Sequence, residues 1–110
     1  MNHEKLECYR MSLGVLQSLG QAMRTWPRGH GNLADQAKRA MTSVVLTIAE
    51  GNGRYGELER RQFFRISRAS AAEVSACVDI MLALGLTGPS QAAELKSRLR
   101  SIYAMLSKMK

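Results

Sequence analysis

The chain has 110 residues, room for one core, since compact domains commonly run to roughly 100–150 residues. Hydrophobic residues make up 45% of it but aromatic ones only 5%, which favours a core of Leu, Ile, Val, Met and Ala between helices and argues against a sheet protein. The formal charge of +7, carried mostly by arginine, suits either a solvated basic surface or an anionic partner, while no run approaches the roughly 20 apolar residues that span a bilayer.

Two widely spaced cysteines, Cys8 and Cys77, do not make the disulfide framework of a small secreted protein, and both are expected to be reduced and buried. No long apolar stretch follows Met1-Asn2-His3-Glu4-Lys5, so the expected location is the cytoplasm.

The first predicted helix covers 4–26, with an inward stripe of Leu6, Tyr9, Leu13, Leu16, Gly20 and Met23 at alternating steps of three and four. A second stripe, Cys8, Val15, Leu19, Ala22 and Trp26, runs beside it, and the combined width suggests burial on two sides. Pro27 stops this helix, and Gly29-His30-Gly31-Asn32 reads as a turn. A second helix, 32–51, presents Leu33, Ala37, Ala40, Met41, Val44, Val45 and Ile48, with Asn32 as candidate N-cap and Asp35 in the first turn. Gly51, Gly53 and Gly56 then break the pattern.

The third helix, 57–85, is expected to bury Phe63, Ile66, Ser70, Val74, Cys77, Met81 and Leu84. Small residues from Ser67 to Ala76 allow a neighbouring helix to come close. Gly85 and Gly88 end it, and Pro89 suits the first turn of a fourth helix, 89–109, with Leu95, Leu99, Ile102, Leu106 and Met109 inward. Four amphipathic helices with short connections predict a single all-α domain over 1–110, an antiparallel up-down-up-down four-helix bundle.

The pattern suggests no catalytic site. Neither cysteine has a recognisable flanking signature, and the serines lack a local base. Metal sites of helix bundles use Glu followed three residues later by His, whereas Gly53 follows Glu50 and Ala76 follows Glu73, so neither a metal nor a cofactor is expected. His3 and His30 do not pair with a cysteine at zinc spacing. The segment Gly51-Asn52-Gly53-Arg54-Tyr55-Gly56 follows a helix and lacks the lysine of a phosphate-binding loop; it reads as a turn, with phosphate cradling the second choice. Glu50 and Glu73, the latter set among small residues and expected to be partly buried, are candidates for structural ion pairs with Arg39 or with Arg65 and Arg68.

Arginine placement carries more information. Arg61, Arg65 and Arg68 form one stripe, with Arg54 and Arg60 near its start, and the last segment carries Lys96, Arg98 and Arg100 with no acidic residue after Glu94. Such a surface can track a phosphate backbone by releasing counterions, largely without regard to base sequence. No aromatic interleaving points to base stacking.

Ser43-Val44-Val45-Leu46-Thr47-Ile48-Ala49-Glu50-Gly51-Asn52-Gly53-Arg54, followed by the stretch from Arg61-Gln62-Phe63-Phe64-Arg65 to Ser70-Ala71-Ala72-Glu73, resembles the four-helix bundle proteins first noticed as products of intervening sequences in bacterial 23S ribosomal RNA genes. The resemblance extends through Trp26-Pro27, Leu84-Gly85-Leu86 and Met105-Leu106. It implies a bundle that assembles as a homopentamer, and a fold shared with the basic accessory variability protein of diversity-generating retroelements, which binds nucleic acid and a reverse transcriptase. The expected function is thus a non-enzymatic, oligomeric protein that contacts RNA or DNA through Arg54, Arg60, Arg61, Arg65, Arg68, Lys96, Arg98 and Arg100. The alternative is a self-assembling or protein-interaction module, with a reverse transcriptase as one candidate partner and neither a membrane nor a small-molecule substrate involved.

Overall fold

The computed structural model describes residues 1–110 as four α-helices without a strand: α1 (His3–Met23), α2 (Gly31–Asn52), α3 (Glu57–Ala83) and α4 (Pro89–Lys108). Contacts join α1 to α2, α2 to α3, α3 to α4 and α4 back to α1, with none across a diagonal, so the helices form the corners of a square. The centre holds one cluster of 20 buried residues drawn from all four helices and the tail after α4.

Side-chain pairings give the directions. Ser43 meets Ser70 while Val44 meets Ser67, so numbering rises along α2 as it falls along α3. Asp79 with Lys96 and Arg68 with Leu106 reverse α3 against α4, and Ser18 with Arg98 and Lys5 with Lys110 do the same for α1 and α4.

Local chemistry sets the ends. Asn2 accepts a hydrogen bond from the Lys5 amide at 2.9 Å and so caps α1. That helix stops at Met23, short of the expected Trp26: a residue before proline avoids helical backbone angles, and the Thr25 hydroxyl donates to the Ala22 carbonyl at 2.7 Å. Helix α2 begins one residue before the expected Asn32, with His30 at the cap position and no side-chain cap, so neither Asn32 nor Asp35 plays the part its type suggested. At the end of α3, Gly85 adopts φ +73° while the Leu86 amide donates to Met81 and the Gly85 amide to Leu82. This Schellman arrangement requires a left-handed residue, which glycine supplies at least cost.

The buried stripes of α2 and α4 are those expected, except that Leu33 is only half buried. Two others differ. In α1 the fully buried residues are Cys8, Ser12, Val15 and Leu19, whereas Leu6, Tyr9 and Leu16 lie half buried on a flank and Leu13 is 40% exposed. Ser12 fits this interior because its hydroxyl donates to the Cys8 carbonyl at 2.8 Å.

In α3 the inward set is Phe64, Ser67, Ala71, Val74, Cys77, Val78 and Met81; Phe63 and Ser70 are half buried, and Ile66 and Leu84 face out. The cause is the close α2–α3 approach. Ser67 donates to the Val44 carbonyl at 3.1 Å, and a side chain as large as Ile66 has no place in that seam. Where α2 reaches Gly51, Phe64 fills the space a side chain would take: a Cβ at Gly51 would fall 2.7 Å from the Phe64 ring. Gly51 is thus a buried part of the helix, required for close approach, and not a residue of the turn.

Candidate nucleic-acid interface

Eight cations were expected at the interface, and the bundle separates them into three places. Along α3, Arg61, Arg65 and Arg68 share a stripe that continues into Ala72, Ser75 and Asp79. Ala72, Ser75 and Asp79 line a groove of about 320 Å³ against Leu99, Arg100 and Tyr103 of α4. Lys96 reaches across the same seam to Asp79. Arg61, Arg65, Arg68, Lys96 and Arg100 therefore belong to one α3–α4 face.

Their availability differs. Arg65 and Arg100 are exposed and have no ion pair or side-chain hydrogen bond within the chain. Arg61 lies 3.1 Å from Glu57, one helical turn back, with both side chains about half exposed. Such exposed pairs contribute only about 0–1 kcal/mol in water, so a phosphate competes readily for the guanidinium. Arg68 is half buried and donates to the Leu106 carbonyl at 3.4 Å, a cation at the C-terminal end of α4 where the helix dipole favours it.

Arg54 and Arg60 occupy the end of the bundle where the α2–α3 turn meets the chain terminus. Arg60 donates to the carbonyls of Arg54, Tyr55 and Lys110, and so acts as a clasp on the backbone. Lys5 donates to the same Lys110 carbonyl at 3.3 Å. Arg54 stays exposed, 4.9 Å over the Phe63 ring and 3.6 Å from Glu59. Arg98 lies elsewhere, in the α1–α4 groove, where it donates to Ser18 at 2.9 Å and approaches Glu94 at 3.8 Å. Its guanidinium passes beside Gly14, and its buried Nε finds no partner.

The internal ion pairs expected of Arg39, Glu50 and Glu73 do not form within the chain. All three are exposed, contrary to the expected partial burial of Glu73, and none lies within salt-bridge distance of an opposite charge. Arg39 and Glu73 instead border one surface concavity between α2 and α3.

Both thiols are buried and reduced. Burial raises the Cys8 pKa from an ordinary 9.0 to about 11, against a smaller lowering by the Ser12 hydroxyl. Burial raises that of Cys77 as well, with help from the Glu73 charge. No three His, Cys, Asp or Glu side chains converge in a way that could hold a metal ion, and no helix is long and apolar enough to cross a membrane.

Two exposed tyrosines that sequence reasoning did not single out lie near the cations. Tyr103 is 46% exposed beside Arg100, a placement its spacing of three from Arg100 and seven from Lys96 on one helix already implies. Tyr55, between glycines and outside every helical stripe, is fully exposed.

The class these features define is a basic all-α protein, four helices around one core with a cationic face on α3 and α4. Comparison narrows it: the sequence matches the 23S rRNA-intervening sequence protein family over residues 4–108, and the chain belongs to that family. No protein of curated function matches it.

Proposed function

We propose that this protein binds RNA without catalysis, holding the phosphate backbone against the α3–α4 face. The observation that carries the reading is the pair Arg65 and Arg100, exposed and without protein partners on the face where Arg61 is tied only by a surface ion pair. Membership in a family described by an intervening sequence of 23S rRNA makes RNA the favoured polyanion over DNA. The groove between the two helices is lined mostly by small and apolar residues with Arg100 at its rim, and the cations of the surrounding face, Arg61 and Arg65 with Arg100, suit an extended phosphate chain.

Filter binding of a structured RNA tests this. The variant Arg61→Gln/Arg65→Gln/Arg100→Gln is expected to bind at least tenfold more weakly at moderate salt, whereas the charge-matched variant Arg10→Gln/Arg24→Gln/Arg28→Gln is expected to bind nearly as well as the parent. Equal losses in both variants would reduce the effect to net charge and refute a defined face.

A second reading accompanies the first. Leu46 (53% exposed) and Ile66 (45%) sit one turn along from the Ser43–Ser70 contact on either side of the α2–α3 seam, flanked by Arg39, Glu50 and Glu73. Exposed apolar side chains rimmed by unpaired charges of both signs suit a contact between copies of the chain, in line with the homopentamer that the family resemblance implies. A ring of copies would multiply weak phosphate contacts through avidity. A reverse-transcriptase partner would also have to use this or another free face, and nothing favours it over self-association.

A further inference from the structure

The α2–α3 turn is built in an unusual way for a surface loop. Arg60 holds the carbonyls of both Arg54 and Tyr55 and, through its Nε, that of Lys110 at 3.2 Å. Arg54 is fixed in turn on the Phe63 ring and against Glu59. The backbone on either side of Tyr55 is therefore pinned to α3 and to the end of α4, yet the Tyr55 side chain is 100% exposed and its neighbour Leu58 83% exposed. The backbone that carries the ring is already held, so covering the ring orders no loop and costs only the rotamer freedom of one side chain, about 0.5–1.5 kcal/mol.

Charge and area together select the occupant. Arg54 precedes Tyr55 in the turn and Arg61 lies in the second turn of α3, each held only by a surface pair, with Glu59 and Glu57 respectively, and the clasp brings Lys5 and Lys110 to the same end of the bundle. Tyr55 and Leu58 alone offer far less apolar area than the roughly 800 Å² per partner of a standard protein interface. One exposed aromatic face at a basic end of the bundle matches instead a single unpaired nucleotide, whose base stacks on the ring while its phosphates meet cations of that end.

We infer that the turn is a stacking platform: Tyr55 receives one unpaired base of a bound RNA, and Arg54 and Arg61 hold the adjoining phosphates. This rests on the RNA-binding reading above and deepens it, adding a preference for RNA with an unpaired base to a face that otherwise senses phosphate alone. The α2–α3 turn continues directly into the Arg61-Arg65-Arg68 stripe, so a strand anchored at Tyr55 leads onto the α3–α4 face.

The experiment uses the full chain and single-stranded oligoribonucleotides carrying 2-aminopurine, alongside the same strand with one abasic position. Stacking on an aromatic side chain predicts that Tyr55→Ala binds the intact strand about five- to 150-fold more weakly, with its salt slope unchanged because no phosphate contact is lost. Tyr55→Trp is expected to retain affinity and to quench 2-aminopurine at least as well as the parent. The parent is expected to bind the abasic strand more weakly than the intact one, and Tyr55→Ala to bind both alike. Because Tyr55 packs against nothing, thermal unfolding of these variants should match the parent. Unchanged affinity and quenching in Tyr55→Ala, with a salt-dependent parent complex still present, would overturn the platform and leave the phosphate face standing. A parent that binds no oligoribonucleotide at moderate salt would overturn both. Loss of self-association or of a protein contact in Tyr55→Ala, with RNA affinity intact, would also overturn the platform, in favour of a protein anchor.

Discussion

The substitution Gly51→Ala tests the α2–α3 packing most sharply, because its sign depends on one contact. The added Cβ would lie 2.7 Å and 3.1 Å from two atoms of the Phe64 ring and 3.2 Å from the Phe63 Cβ, where carbon pairs prefer about 3.5–4.0 Å. Phe64 has no exposed surface, so its ring cannot retreat without displacing the core, and overpacking of this kind costs about 1–3 kcal/mol. Alanine favours a helix interior over glycine by about 0.8–1.0 kcal/mol, but Gly51 sits in the last turn of α2, where that gain is smaller. The expected net loss is about 1–2 kcal/mol, each kcal/mol lowering the melting temperature by about 4–8 °C in a domain near this size. Gly20→Ala is the matched control: nothing lies within 4 Å of its Cβ, so the same chemical change should stabilise by up to about 1 kcal/mol. Urea and thermal unfolding followed by circular dichroism measure both. A Gly51→Ala protein as stable as the parent would refute the placement of Phe64 beneath α2.

Other consequences follow from burial and charge. Cys8 and Cys77 should resist alkylation at pH 8 in the folded protein and react fully in denaturant, and rapid native labelling would show the core to be open. The Cys8 thiol stays protonated to about pH 11 when folded but ionises near 9.0 when unfolded. The unfolded state therefore binds fewer protons in that window, and stability should fall by roughly 2–3 kcal/mol between those values, while Cys8→Ser should flatten the fall. For the α2–α3 face, Leu46→Glu/Ile66→Glu should dissolve any assembly seen in sedimentation without lowering the melting temperature of the dilute monomer; an unchanged assembly would place the contact elsewhere.

Much of this architecture was legible as periodicity. The buried sets of α2 and α4 could be read directly, since each has one dominant apolar stripe. Two apolar stripes compete on α1, and hydrophobicity alone cannot rank them; its neighbours α2 and α4 decide which one faces inward. On α3 the apolar count favours Phe63 and Ile66, yet the set from Phe64 through Ser67, Ala71, Val74 and Val78 to Met81 keeps strict three–four alternation and uses small residues where α2 comes closest. Size, more than greasiness, sets that face.

The interface was legible only as charge. Spacing put Arg61, Arg65 and Arg68 on one stripe, but it could not tell Arg65, free in solvent, from Arg68, tied to the end of α4. Nor could it separate Arg100 from Arg98, two residues away and turned into the α1–α4 groove. The expected Glu50, Glu73 and Arg39 network failed for a related reason: small neighbours in sequence suggested that Glu73 is partly buried, whereas Glu73 points out of the α3 core stripe and borders a surface concavity with Arg39.

The salt dependence of RNA affinity tests the central claim most directly. A single-stranded RNA held by Z phosphate contacts gives a slope of log K against log salt near −0.7Z. If Arg61, Arg65 and Arg100 each neutralise one phosphate, replacing all three with Gln should make the slope shallower by about 2 and lower affinity most at low salt. A slope and an affinity that match the parent's at every salt concentration would contradict the α3–α4 face as the site of contact.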